Sequence, residues 1–168
     1  IVSRLFSIFA SLMAIYALYR LVKILDRQAL ALLAAFVYAV LPYAVYYGRA
    51  VLPEPFMLSF SLISLWQWAA FCQLDSQEQA KKKVKLIFHY LLTLISLALA
   101  ALLKPFVVFL APVYLAIAWY FWGTALFKKW QVYVLPVLAF IPVLIWRDWI
   151  KNFPEGIPVS DWLFNQNQ

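Results

Sequence analysis

The residues best placed to do chemistry lie in one short connection, Tyr46-Tyr47-Gly48-Arg49-Ala50-Val51-Leu52-Pro53-Glu54-Pro55. Glu54 is a lone carboxylate between two prolines, with Arg49 shortly before it, and the runs on either side are apolar. A carboxylate beside a low-dielectric wall is costly unless it meets a cation, a metal or a hydrogen-bonding substrate. Glu54 is therefore a candidate for substrate binding or proton handling; the structural alternative is an Arg49–Glu54 ion pair that only closes the loop. Pro53 and Pro55 fix φ on both sides, and Pro55 disfavours the α region for Glu54 itself, so the carboxylate is expected on stiff, non-helical backbone.

Lys104 is the second candidate. It stands between two apolar runs with only Pro105 as a further break, which leaves almost no aqueous loop. A lysine at the centre of a membrane helix costs roughly 2.5 to 3.5 kcal/mol on insertion scales, so a cavity-facing role is the default reading and snorkelling to the headgroups the alternative. Arg49 and Lys104 together suit an anionic headgroup such as a phosphate, the guanidinium gripping two oxygens and the ammonium acting as a point charge. A lipid-linked phosphate could reach them sideways from the bilayer.

Other residues offer less. His89 stands alone near the start of a span and reads as a satisfied interfacial side chain. Lys81, Lys82, Lys83 and Lys85 read as an anchor on anionic lipid. Asp148, Glu155 and Asp161 have no His or Cys neighbours to build a transition-metal site. Cys72 is the sole cysteine, which excludes an internal disulfide and reads as a packing residue near a helix end. Gly48, Gly123 and Gly156 are the only glycines, too few and too scattered for a P-loop or dinucleotide-binding loop.

The elements that must position these residues are set by composition. Of 168 residues, 67% are hydrophobic and 12% charged, and mean hydropathy is +0.85. Soluble domains are nearer half apolar and a quarter charged, so the bilayer is the first partner implied. The formal charge of +7 would suggest nucleic acid in a soluble protein. Here most basic residues fall in the breaks between apolar runs, where they set topology, and no nucleic-acid partner is expected.

Six runs approach the length of a membrane helix: residues 5–25, 29–47, 56–74, 86–103, 106–122 and 131–146. The expected fold is an all-α, polytopic bundle of about six membrane helices over residues 1–146. Residues 147–168 then begin an outward-facing loop or tail. Trp66, Trp68, Trp119, Trp122, Trp130, Trp146 and Trp149 gather toward run ends and read as interfacial belts. Pro42, Pro112, Pro136 and Pro142 are expected to kink helices and open space between them. The chain opens on Ile1 and closes on Asn165-Gln166-Asn167-Gln168, which reads as a fragment.

If the runs alternate sides, one face receives Arg20, Lys23, Arg27, Lys81, Lys82, Lys83, Lys85, Lys128 and Lys129. The other receives Arg4, Arg49, Lys104, Arg147 and Lys151. The positive-inside bias puts the first set in the cytoplasm and the Arg49–Glu54 connection on the far side.

The stretch Leu41-Pro42-Tyr43-Ala44-Val45-Tyr46-Tyr47-Gly48-Arg49-Ala50-Val51-Leu52-Pro53-Glu54-Pro55-Phe56 resembles the GT-C membrane glycosyltransferases, in particular the protein O-mannosyltransferase and aminoarabinose-transferase-like group. There a helix ends in a proline, an aromatic pair and Gly-Arg, and a short outward loop delivers an acidic residue before the next helix. Leu102-Leu103-Lys104-Pro105 is similar to that group's lysine at a short helix turn, and the helix from Arg4 to Tyr19 with the Asp26-Arg27 turn fits the same layout.

The resemblance implies transfer of a sugar, hexose or pentose, from a polyprenyl-phosphate carrier to a glycan, lipid or protein acceptor, with inversion at the anomeric carbon. The expected setting is the plasma (inner) membrane of a prokaryote, with the site facing outward. On that analogy Glu54 is the catalytic acidic residue that orients the acceptor or a divalent metal, the only cofactor implied. Arg49, Lys104 and Tyr47 bind the donor. The group's catalytic base comes from an earlier outward loop, expected upstream of Ile1, and the group often has Asp where this chain has Glu54. The alternative is a transporter or flippase whose Arg49, Glu54 and Lys104 line a path. A transporter should show polar groups at mid-span and matched halves, whereas most spans here read as plain hydrocarbon.

Overall fold

The computed structural model describes residues 2–42, 45–46, 53–77 and 83–152. Its elements are helices: α1 (Val2–Leu25), α2 (Gln28–Val40), α3 (Glu54–Ser76), α4 (Lys83–Leu103), α5 (Ala111–Trp122) and α6 (Trp130–Ile150). Short 3-10 segments, Pro105–Leu110 and Gly123–Lys128, lead into and out of α5. The expected all-α polytopic bundle is what the chain forms. Five stretches are long and apolar enough to cross a bilayer, the fourth of them joining α5 to both 3-10 segments as Pro105–Lys128.

The second run departs from expectation. It was expected over residues 29–47, but α2 has only 13 residues, about 20 Å at 1.5 Å per residue against a hydrocarbon core of about 30 Å. The cause is local: Leu41 precedes Pro42 and turns extended at φ −60°, ψ 127°, as the proline ring requires of its predecessor. At the other end of the chain, α6 runs through both Pro136 and Pro142 and continues to Ile150, past the expected boundary at 146.

Helix α3 is the centre of the bundle, with α1, α4 and α5 packed around it. Side-chain contacts fix the directions. Ser59 donates from its hydroxyl to the Ala10 carbonyl at 3.1 Å and Trp66 meets Tyr16 edge-on, so α1 and α3 run parallel. Lys104 pairs with Glu54 and His89 with Gln67, so α4 runs antiparallel to α3. Ser64 bonds Tyr114 and, further along both helices, Trp68 meets Trp122, placing α5 parallel to α3, and the Tyr90 hydroxyl, near the start of α4, donates to the Gln131 carbonyl at the start of α6 at 3.2 Å, placing α6 parallel to α4.

Alternation of this kind sorts the charges by end. At the end of the bundle that holds Asp75 lie Arg20, Lys23, Arg27, Lys83, Lys85, Lys128 and Lys129; at the end that holds Glu54 lie Arg4, Lys104, Arg147 and Lys151. The described basic residues thus divide as the alternating reading expected. Lys81, Lys82 and Arg49 lie outside the described residues.

The core is apolar with a polar seam. Trp68 is 1% exposed; it donates from its indole to the Tyr114 carbonyl at 3.0 Å, stacks on Phe71 and takes Trp122 edge-on. Trp68 and Trp122 were expected in an interfacial belt and are core residues instead. Rings this large are drawn inward where α3 and α5 meet, and the Trp68 N–H finds a carbonyl there. Trp119, Trp130, Trp146 and Trp149 are exposed, as a lipid-facing belt requires. Cys72 is buried in the same core.

Mid-span polarity is a further correction. Ser59, Ser61, Ser64, Gln67 and Thr93 are buried, and their hydrogen bonds run within or between helices. Side chains of this kind hold membrane helices together where lipid supplies no hydrophobic drive between them.

Candidate functional site at the mouth of the central helix

Glu54 opens α3. Pro53 is its N-cap, at φ −70° and ψ −15°, and Pro55 follows in the first turn. The expectation that Pro55 would keep Glu54 out of the α region is therefore not met. A proline in the first turn removes an N–H that has no partner within the helix anyway, so the helix can begin here at little cost. The carboxylate gains the favourable position for an anion, at the positive end of the helix dipole. It does stand on stiff backbone, but the stiffness is that of a proline-led helix start.

Lys104 comes to it from α4. The residue is the single extended position, φ −150° and ψ 115°, between the end of α4 and the turn that starts at Pro105. Its amide still donates to the Ala100 carbonyl at 3.0 Å, and its own carbonyl accepts from Val107 at 3.3 Å. The chain reverses here with no free loop, and the reversal delivers the ammonium onto Oε1 of Glu54. Both side chains are partly buried, Lys104 34% and Glu54 22% exposed, so the pair is neither in bulk water nor sealed in the bundle.

The second carboxylate oxygen differs from the first. Oε2 is shielded from solvent and accepts no hydrogen bond among the described residues. An unmet buried acceptor costs about 1 to 3 kcal/mol, and a hydroxyl donor placed there would remove the deficit. Among the described residues the arrangement is thus one oxygen paired with an ammonium and one with no donor, and an ammonium can donate three hydrogen bonds in all.

Of the residues expected at the site, Glu54 and Lys104 are brought together. Tyr47 and Arg49 lie outside the described residues, and with them the Arg49–Glu54 pair. A metal finds little support in the described part: no group of three His, Cys, Asp or Glu side chains converges there. Glu54 offers one carboxylate that already faces an ammonium, and a cation in contact with it disfavours a second one. The described residues do not by themselves make a metal centre.

Two features escaped the sequence reading. At the far end of α3, Asp75 accepts from Lys129 at 2.6 Å, and the Lys129 ammonium sits 5.4 Å from the centre of the Trp122 ring. The 22 residues from Glu54 to Asp75 span about 32 Å, close to the hydrocarbon thickness of about 30 Å. The central helix therefore carries one ion pair at each membrane boundary, and Lys104 lies at a boundary and not at mid-depth. The spacing of Glu54 and Asp75 along one apolar run was the available signal. His89 was expected to be satisfied, and it is, its Nδ1 lying 2.5 Å from the Gln67 side-chain oxygen; that the partner is a buried glutamine on α3 was not legible.

A bundle of apolar helices around a central helix, with a cation and a carboxylate meeting at one membrane boundary, defines a polytopic membrane protein with a polar site at its lipid–water edge. A family model described as dolichyl-phosphate-mannose-protein mannosyltransferase matches residues 1–146, and the chain belongs to that family, which is of the GT-C type of membrane glycosyltransferases. No curated protein and no solved structure matches the chain.

Proposed function

We propose that this chain carries part of the site of a glycosyltransferase that moves a sugar from a polyprenyl-phosphate carrier to an acceptor hydroxyl on the non-cytoplasmic face. The observation that carries the reading is the Glu54–Lys104 pair at the mouth of α3, with Oε2 of Glu54 shielded and accepting no hydrogen bond among the described residues. In the transfer, the acceptor oxygen forms a bond to the anomeric carbon while the bond from that carbon to the carrier phosphate breaks. Glu54 orients the acceptor by taking a hydrogen bond from a hydroxyl. Lys104, with Arg49, meets the negative charge that grows on the departing phosphate, and Tyr47 contributes to donor binding. Cations fixed before the reaction stabilise such charge without reorganising.

The face is assigned from charge. Seven of the eleven described basic residues lie at the Asp75 end, which the positive-inside rule places in the cytoplasm. The Glu54 end then opens outward, where a carrier with its tail in the bilayer presents its phosphate at the depth of Lys104. The hydrogen-bonded seam inside the bundle reads as packing and not as a transport path. No step is routed through a metal, and the proton of the acceptor is assigned to no base in this chain.

The test is a transfer assay with the full-length protein in membranes and a labelled polyprenyl-phosphate sugar. Glu54→Gln and Arg49→Ala should each abolish transfer while membrane insertion and yield stay as in the wild type. Full activity in both variants contradicts the assignment.

A further inference from the structure

The lipid side of the Lys104 turn carries a pair of rings that the transfer chemistry itself does not use. Pro105–Leu110 is a 3-10 helix of six residues, a long run for a helix whose hydrogen bonds are poorly aligned. Three residues per turn set its side chains in rows, each residue directly over the one three places on. One row is Val107 and Leu110, which pack into the core. Another is Phe106 and Phe109, whose rings stack 6.5 Å apart at 19° and stand 64% and 76% exposed. Val107 is locked in the core and its amide donates to the Lys104 carbonyl, so the turn holds the two rings on its outside.

Their depth follows from the same geometry. Lys104 lies at the membrane boundary, and the 3-10 segment continues from it into α5 as one span, Pro105–Lys128. At about 2.0 Å per residue Phe106 lies about 4 Å and Phe109 about 10 Å along that span from Lys104, so the stack starts beside the cation and descends into the hydrocarbon. A phosphate held by the ammonium passes its chain into the bilayer at the level of the rings. Ring faces favour one kind of chain. A saturated acyl tail gains little by leaving its lipid neighbours, which are as apolar as the protein surface. A prenyl chain has flat, polarisable double bonds with methyl branches, and these pack face-on against an aromatic ring.

We propose that Phe106 and Phe109 form the subsite for the first isoprene units of the carrier, and that this ring pair, with Lys104 above it, selects a prenyl phosphate over a straight-chain phosphate. Phe106 meets the unit next to the phosphate and Phe109 the one after it. The phosphate charge anchors the lipid and the rings choose which lipid stays. The inference rests on the donor role given to Lys104 and adds to it the residues that recognise the chain.

The experiment is equilibrium binding of radiolabelled farnesyl phosphate and pentadecyl phosphate, equal in carbon number, to the full-length protein in one detergent. Both chains leave a micelle and not water, so ring contact separates them, and the prenyl compound should bind about fivefold more tightly. Phe106→Leu with Phe109→Leu should bring farnesyl phosphate down to the level of pentadecyl phosphate and leave the latter unchanged. Leucine keeps the span apolar, so insertion does not depend on the rings. Phe127→Leu, at a ring of similar exposure toward the Asp75 end, should leave the preference intact, and Lys104→Ala should weaken both compounds by about tenfold. A preference that survives the double variant overturns the ring subsite and leaves the donor role of Lys104 standing. So does equal binding of the two compounds by the wild type, an equal fall for both in the double variant, or a preference lost as fully in Phe127→Leu. Failure of the wild type to bind farnesyl phosphate, or binding untouched by Lys104→Ala, removes the donor role and the subsite with it.

Discussion

Glu54 and Lys104 can be separated by what each loses when changed. Lys104→Ala leaves a partly buried carboxylate without its cation and takes a positive charge from the mouth of the bundle; donor affinity should fall about tenfold or more, read by equilibrium binding of labelled donor. The charge swap Glu54→Lys with Lys104→Glu restores an ion pair of the opposite sense. Its melting temperature in detergent should return to within a few degrees of wild type while transfer stays absent, because the carboxylate no longer stands at the start of α3 and the ammonium no longer ends α4. Recovery of transfer in the swap would show that only neutralisation matters. The Asp75–Lys129 pair offers the contrast: Asp75→Asn should cost about 1 kcal/mol of stability, measured by denaturant titration in micelles, with the turnover of the folded fraction unchanged.

The elements rest on packing that the residue pattern shows only in part. Trp68 fills the junction of α3 and α5 and spends its N–H on Tyr114, so Trp68→Ala should cost about 3 to 5 kcal/mol. Trp119→Ala, on a ring 51% exposed to the lipid side, should cost far less; denaturation of the two variants in the same detergent compares them directly. Apolar runs and their charged breaks made five membrane helices legible, because insertion depends on length and hydropathy alone. They did not show that α2 stops at Val40, a consequence of Pro42 acting on Leu41. Nor did they show which tryptophans face inward, since a nearly all-round apolar helix has no polar face to mark its outside. Gly123, at φ +53° and ψ −133°, turns the chain out of α5 in the mirror-β region, which glycine enters freely and a residue with a Cβ rarely does.

For the whole molecule, the proposed orientation rests on the helix directions and on the charges they carry to each end. The candidate site was legible in part: Glu54 and Lys104 were singled out as charged residues at breaks between apolar runs, and the fold brings them together because α4 runs antiparallel to α3. Their joint identity as an ion pair was not legible, since the residues lie 50 positions apart in the chain and only the bundle places them side by side. Cysteine labelling tests the orientation. In a Cys72→Ala background, a cysteine at Lys151 should react with an impermeant maleimide in intact cells, and one at Lys128 only after permeabilisation. The opposite pattern would put the Glu54 end in the cytoplasm.

The most direct test of the role given to the ion pair measures donor binding and single-turnover transfer side by side in full-length Glu54→Gln and Lys104→Ala. The account predicts that Glu54→Gln still binds the polyprenyl-phosphate sugar with near wild-type affinity yet fails to transfer it, whereas Lys104→Ala loses the affinity. Normal transfer by Glu54→Gln, or unchanged donor binding by Lys104→Ala, would contradict it.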